Sequence, residues 1–219
     1  MGSDQIQAPR PRRRTWIVLV LVLVGAQALY YVMQDPDLPR GSENLQAMIK
    51  VMDSRNVEAD RDFAARIEAQ QRQSPLRDFG PEKAVDAAAR SAMHAWLAAA
   101  IGTINESLAK RERILNETIA EIEAARVSDK AKSTMLAAIR DAAAQKVPLS
   151  VQMMKAMRAY LEKISEMVAH LDLNATGLSL RDGQLAFEDG AAADRHNALE
   201  DERVALEQEL QRLQQQVRK

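Results

Sequence analysis

The chain has 219 residues, three histidines and no cysteine, and the histidines are the side chains with the most varied possible chemistry. His94, His170 and His196 could bind a metal or transfer protons near neutral pH. They are far apart in the sequence, and none belongs to an HExxH or His-x-x-x-His pattern. The spacing therefore predicts packed or capping histidines, and it predicts no metal site.

The segment MMxxM, formed by Met153, Met154 and Met157, carries soft thioether sulfurs that could bind copper(I). The same spacing places Met154 and Met157 on the inner face of a helix, with Met153 beside it. Methionine also fills irregular protein cores. We therefore favour a structural role for this segment, and the sequence predicts no cofactor.

The sequence contains no recognisable catalytic motif. A glycine-rich phosphate loop, a G-x-S-x-G motif and a Ser/His/Asp grouping are all absent from it. Glu121 and Glu123 form an acidic pair, but they lie on a charged helix surface where solvation is the default. The basic run KRER at 110–113 is mixed with acid and also predicts a solvated face. The chain is thus not expected to be an enzyme.

Residues 16–33, WIVLVLVLVGAQALYYVM, would fix the location of the rest of the chain. They contain no charge and would extend about 27 Å as a helix, close to the thickness of a hydrocarbon core. Trp16, Tyr30 and Tyr31 lie near its ends, where interfacial aromatic residues are enriched. The sequence predicts an uncleaved transmembrane anchor over 15–33, after a cytoplasmic basic tail over 1–14.

Charge asymmetry around the anchor predicts its orientation. Asp35 and Asp37 follow the apolar run with only Arg40 as a nearby base, whereas four arginines precede it. These four are Arg10, Arg12, Arg13 and Arg14. Positively charged flanks stay on the cytoplasmic side. Together with the alanine- and arginine-rich composition, this predicts a bacterial inner-membrane protein with a periplasmic main domain.

A cleaved signal peptide is the alternative for the same segment. Ala26-Gln27-Ala28 is a small-x-small site, so cleavage after Ala28 would release a soluble periplasmic protein. Arg13-Arg14 before an apolar run also permits a twin-arginine signal. The apolar run continues to Met33, which a cleaved segment does not need, and this favours the anchor.

The overall charge excludes a further class of function. Four arginines against Asp4 give residues 1–14 a charge of +3, and the other 26 basic and 30 acidic residues give −4. A mildly acidic domain lacks the basic face that nucleic-acid binding requires. The absence of cysteine excludes disulfides and a lipid-modified N-terminal cysteine.

Apolar periodicity predicts an elongated antiparallel helical bundle over 45–171, after a linker over 34–44. Four helices are expected, at 45–73, 81–126, 130–146 and 149–171, the first of them bent or only partly buried. The second is expected to be a single long helix, about 65–70 Å if unbroken, with a heptad of Ile101, Leu108, Leu115 and Ile122. The fourth has the most regular inner face: Met154, Met157, Leu161, Ile164, Val168 and Leu171.

Residues 172–190 predict a small β-hairpin. A two-residue turn at Asp182-Gly183 would pair Leu180 with Leu185 and Leu178 with Phe187, and would put all four side chains on one face. An isolated hairpin is marginally stable in water. This face is therefore expected to dock on the bundle or on another protein.

Residues 191–219 predict a coiled-coil-like C-terminal helix. Its inner positions follow three-four spacing and are interrupted by Arg203. They are Leu199, Leu206, Leu210, Leu213 and Val217. We expect this face to bind a protein partner or a second copy of the chain.

The C-terminal third also carries a resemblance. A helix, a hairpin with the turn glycine Gly183, and then Phe187, Asn197 and Leu199 before a last helix resemble the C-terminal end of an uncharacterised family. That family comprises helical envelope lipoproteins of enteric bacteria and is classed as a domain of unknown function. The match needs a one-residue shift in the turn, and this chain has an anchor in place of the lipid-modified cysteine. The resemblance implies a helical protein of the cell envelope and implies no activity.

These observations predict a single-pass, mainly helical protein that acts as a periplasmic scaffold or adaptor through protein–protein contacts. The alternative is a ligand- or stress-sensing periplasmic bundle that works through a membrane partner. Short anchored coiled-coil proteins that act in phage lysis are a variant of the first class, but a four-helix domain is larger than such a spacer needs.

Overall fold

The computed structural model describes residues 42–145 and 149–217. Its helices are α1 (Ser42–Arg72), α2 (Pro81–Val85), α3 (Ala87–Ala124), α4 (Asp129–Gln145), α5 (Leu149–Leu173) and α6 (Gly190–Val217). Strands β1 (Leu178–Arg181) and β2 (Gln184–Phe187) form one hairpin, and short 3-10 turns lie at Pro75–Asp78 and Ala175–Gly177. The mainly helical architecture with a small hairpin is thus confirmed.

The predicted anchor and basic tail lie outside the described residues, as does the linker up to residue 41. Among the helices that are described, none combines the length and the apolar character that a membrane span requires. Residues 42–44, predicted as linker, are already helical.

The prediction of a single long helix over 81–126 is wrong, because the chain forms two helices there. Asp86 leaves the helical region with φ −84° and ψ 118°. Its carboxylate accepts the N–H of Ala88 at 2.8 Å and so caps the start of α3. An aspartate that can cap a new helix competes with continuation of the old one, so α2 ends after a single turn and a half.

The long helices run antiparallel to their neighbours. Exposed ion pairs between α1 and α3 join Asp62 to Lys110 at 2.8 Å and Arg66 to Glu106 at 2.7 Å. Within the described ranges the long helices pack in the order α1, α3, α5, α6, and α1 does not pack along α6. The result is an elongated bundle with an open cross-section.

Two apolar clusters form the core. The α4 cluster joins α1 and α3 to α4, and the α5 cluster joins α3 to α5. The α4 cluster comprises Ile49, Ile122, Ala131, Met135, Leu136 and Ile139. The α5 cluster comprises Met93, Leu97, Ala100, Ile104, Met154, Leu161, Ile164 and Val168. Two different helices therefore cover the two halves of α3.

The inner face predicted for α5 is confirmed, with Met157 half-buried and the other five residues buried. On α3 the predicted heptad is only partly correct: Ile122 is buried, but Ile101, Leu108 and Leu115 are half-buried. The buried line of α3 runs instead through positions that include Ser107 and Thr118. Because α3 has neighbours on two sides, its most central positions are not those of a two-helix seam.

The register of the hairpin is as predicted. Leu178 pairs with Phe187 and Leu180 pairs with Leu185. Asp182 and Gly183 both have positive φ, 52° and 76°, as a type I′ turn requires. Aspartate and glycine tolerate this left-handed region better than most residues, so the turn sequence fixes the pairing.

Candidate functional site

The hairpin end of the bundle, residues 75–94 and 170–196, holds most of the chemically distinctive groups. Helix α2 packs against both strands, and β2 also contacts α6. The apolar face of the hairpin therefore docks on the bundle, which was one of the two predicted outcomes.

Arg90 organises this end from within. Its side chain is only 5% exposed, and its Nη1 donates to the carbonyl oxygen of Ala84 at 2.9 Å. Its Nε donates to Asp172 Oδ1 at 2.5 Å, and His94 Nε2 lies 2.8 Å from Asp172 Oδ2. The hydrogen bond from Arg90, assisted by His94, holds the pKa of Asp172 below its usual value. One buried guanidinium thus joins α2, α3 and α5, while the side chain of His94 is 37% exposed and lies against Asp172 at the surface.

The other two histidines, distant in the sequence, meet beside the hairpin. The rings of His170 and His196 are stacked with centroids 6.2 Å apart and an interplanar angle of 19°. Phe187 of β2 lies against both rings, at 5.7 Å from His170 and 5.2 Å from His196. The histidine cluster, as we call His170, Phe187 and His196, therefore joins α5, β2 and α6. The sequence gives no sign of this contact, because only the return of α6 along α5 creates it.

Hydrogen bonds fix the state of His170. Its Nε2 lies 2.9 Å from the carbonyl oxygen of Ala192, which can only accept. Asn174 Nδ2 donates to the carbonyl oxygen of His170 at 2.8 Å and also faces His170 Nδ1 at 3.4 Å. The contact with a carbonyl oxygen requires a proton on Nε2 of His170. His196 Nδ1 is buried and has no hydrogen-bond partner. Burial and the neighbouring His170 lower the pKa of His196, and Glu200 opposes them.

A shallow groove of about 220 Å³ opens beside the histidine cluster. At its rim Leu173 is 84% exposed, the most exposed of the large apolar side chains in the described ranges. The lining residues are Leu173, Asn174, Thr176, Gly177, Phe187, Glu188, Asp189 and Ala192. The groove thus combines an apolar rim with two carboxylates.

The hairpin residues predicted to bind a partner are mostly covered. Leu178, Leu185 and Phe187 are half-buried, and Leu180 is 38% exposed. Leu173, which the sequence analysis did not single out, offers more apolar surface than any of them. It lies two residues beyond the predicted fourth helix, in the segment 172–190, and nothing in the sequence signals that it protrudes.

The inner face of α6 is not free, which corrects the sequence prediction. Leu199, Leu210 and Leu213 are buried because α6 packs along α5, and Leu206 is half-buried. The side chain of Val217 lies outside the described part of the chain. These leucines stabilise the fold of the chain itself.

Arg203 interrupts that face without leaving an unpaired charge. It bonds to Glu200 at 2.6 Å and to Glu207 at 2.8 Å, and these bonds, with one to Tyr160 of α5, raise its pKa. The side chain can therefore lie at an inner position.

A buried ion pair joins Asp60 of α1 to Arg111 of α3, and their side chains are 6% and 9% exposed. Arg111 Nη1 also faces Ser150 Oγ of α5 at 3.4 Å. The prediction that residues 110–113 form a solvated face is therefore wrong for Arg111. The pair lies where the cover of α3 passes from α4 to α5, between the two apolar clusters.

Metal ligands do not converge in the described ranges, where no group of three or more His, Asp or Glu side chains could hold an ion. Met154 belongs to the α5 cluster and accepts a hydrogen bond from Ser107 at 3.8 Å. Its placement agrees with a core role for the MMxxM segment.

Comparison of the chain with protein-family models, curated proteins and solved structures finds no match. The resemblance to envelope lipoproteins stays a prediction.

Proposed function

We propose that this chain is a membrane-anchored periplasmic scaffold or adaptor that binds a protein partner through the hairpin end. The observation that supports the proposal is the exposure of Leu173, 84%, at the rim of the groove. Burying a leucine side chain on association contributes about 1.5–3 kcal/mol, so such a residue suits an interface. Among the residues whose burial the structure describes, the inner faces of the long helices already pack within the fold, and Leu173 is the most exposed large apolar side chain.

The geometry of α1 supports the same proposal. Its 31 residues span about 46 Å, and the hairpin end lies at the end of α1 remote from Ser42. With α1 projecting away from the bilayer, a membrane anchor before Ser42 would hold Leu173 well away from the membrane. A partner could reach it there.

Leu173→Asp in the full-length chain tests the contact. Because the leucine is exposed, we expect unchanged thermal stability and a loss of mass from the complex extracted from native membranes with mild detergent. Val51→Asp is the matched control, since Val51 is an exposed apolar residue, 45%, on α1 near its N-terminus. An unchanged complex with Leu173→Asp, or equal losses with both variants, would contradict the proposal.

Cysteine labelling tests the anchor and its orientation. The chain has no cysteine, so Ser3→Cys and Ser179→Cys each introduce a single thiol. A membrane-impermeant maleimide should label position 179 in cells with a permeabilised outer membrane and should label position 3 only after lysis. The mass of the mature chain distinguishes the anchor from cleavage after Ala28.

The groove at the hairpin end gives little support to the sensing alternative. The groove of about 220 Å³ is smaller than the 300–1,000 Å³ typical of small-molecule sites. A reproducible rise in the melting temperature of the detergent-solubilised chain with a small molecule or a divalent or copper ion would favour sensing over scaffolding.

A further inference from the structure

The histidine cluster is built for neutral rings. His170 donates a hydrogen bond from Nε2–H to the carbonyl oxygen of Ala192. The side-chain amide nitrogen of Asn174 faces the other ring nitrogen, Nδ1. A second proton, on Nδ1, would point at the N–H groups of that amide. A proton on the buried Nδ1 of His196 would have no acceptor.

Protonation of both rings would also place two positive charges face to face, with centroids 6.2 Å apart. Stacking in this arrangement is favourable for neutral rings and repulsive for imidazolium pairs. Phe187 packs against both rings, so the contact between β2 and the bundle depends on the same stack.

We propose that His170 and His196 form a proton-sensitive latch, which holds the hairpin and the first turns of α6 against α5 at neutral pH and releases them on acidification. The proposal does not depend on the scaffold function. It rests on the tautomer fixed at His170, the unpartnered nitrogen of His196 and the shared contact with Phe187.

The charged groups around the latch are few and mostly paired. Glu200 on α6 is the acid that favours a proton on His196. The carboxylate of Glu200 is itself paired with the guanidinium of Arg203. Glu188 and Asp189 line the adjoining groove, and Asp189 Oδ1 accepts from Ala191 N–H at 2.9 Å. On α5, Asp172 is held by Arg90 and His94. Arg195, directly before His196 on α6, pairs with Glu166 and Glu202. The same two carboxylates also pair with Lys163 of α5. On α2, Lys83 faces Asp78 at 4.0 Å.

The sign of the effect follows from the pKa of His196, which folding lowers. Above the pKa of an unfolded histidine, about 6.5, the ring of His196 is neutral in both the closed and the open form of the hairpin end. In this range the closed form has its greatest stability relative to the open form. As the pH falls below that value, His196 binds a proton more readily in the open form than in the closed form. Proton binding therefore shifts the equilibrium towards the open form. Each pKa unit between the two forms changes the opening equilibrium about tenfold.

Hydrogen exchange of the full-length chain in detergent micelles tests the latch. We expect protection over residues 178–196, corrected for intrinsic exchange rates, to fall between pH 7.5 and pH 5.0. His196→Gln should retain protection at pH 7.5 and flatten this dependence. His94→Gln is the matched control, because it removes the remaining histidine of the chain at a site outside the latch, and it should keep the wild-type response.

Ring titration by NMR covers the case in which His196→Gln loosens the hairpin at every pH. In the wild-type chain, the midpoint of hairpin opening should coincide with the titration of His170 or His196. Unchanged protection down to pH 5.0, an opening that follows His94 alone, or a wild-type response in both His170→Gln and His196→Gln would each overturn the proposal.

Discussion

Removing the carboxylate of Asp60 should destabilise the chain strongly. The side chains of Asp60 and Arg111 are 6% and 9% exposed, so neither charge is solvated by water. In Asp60→Ala, the guanidinium of Arg111 would keep Ser150 Oγ, at 3.4 Å, as a weak neutral partner. Burial already lowers the pKa of Arg111, which shows that its charged form is disfavoured there. We expect a loss of about 3–5 kcal/mol in the free energy of unfolding, as for other broken buried pairs.

Urea unfolding of the full-length chain in detergent micelles, followed by circular dichroism at 222 nm, measures this loss. Asp62→Ala is the matched control, because Asp62 lies on the same helix and pairs with Lys110, next to Arg111, at an exposed site. It should cost less than about 1 kcal/mol.

The double variant Asp60→Leu/Arg111→Met separates the penalty of an unpaired charge from the loss of packing. With both charges removed, stability should return close to the wild-type value or exceed it. A cost of Asp60→Ala no larger than that of Asp62→Ala would refute the reasoning, as would a double variant no more stable than the single one.

Three further substitutions address the pH dependence, the turn and the helix cap, each measured by the same urea unfolding. Burial raises the pKa of Asp53 to about 6 from 3.8, so stability should fall as the pH rises from 4 to 6. Asp53→Asn should therefore stabilise the chain at pH 7.5 by about 1 kcal/mol, after allowance for solvent screening at a half-buried site. The same substitution should have little effect at pH 4, and equal effects at both pH values would contradict this reasoning. Gly183→Ala should cost about 1 kcal/mol or more, because Gly183 has φ 76°, and a neutral result would mean that the turn rearranges. Asp86→Ala should cost about 0.5–2 kcal/mol through loss of the bond to the Ala88 N–H, and no loss would show that another group caps α3.

Local patterns predicted the elements whose geometry a short segment determines. The turn Asp182-Gly183 fixed the register of the hairpin, because few residue pairs accept two consecutive positive φ angles. The inner face of α5 followed from three-four spacing, since one side of that helix faces the core. The break at Asp86 was missed although a capping aspartate is a local signal, because the surrounding alanines favour a continuous helix.

Contacts between distant segments could not be read from the sequence. Asp60 and Arg111 each lie among charged residues, so hydropathy alone assigns them to the surface, and only the packing of α1 on α3 buries both. The histidine cluster likewise requires α6 to return along α5. The leucines of α6 were recognised as an inner face, but periodicity does not say whether the covering helix belongs to the same chain.

The row of helices α1, α3, α5 and α6 has a consequence for how the chain acquires its structure. Each long helix packs mainly on the long helix that precedes it, so these pairs of helices can form in sequence during synthesis. The hairpin end is the exception, because its contacts join segments that are synthesised some 80–100 residues apart. Helix α2 packs on β1 and β2, and Arg90 pairs with Asp172. Until Asp172 is synthesised, the guanidinium of Arg90 lacks this carboxylate. The hairpin end is therefore expected to become native only after α1 and α3 have paired, and truncated nascent chains that end before Asp172 should bind chaperones through it.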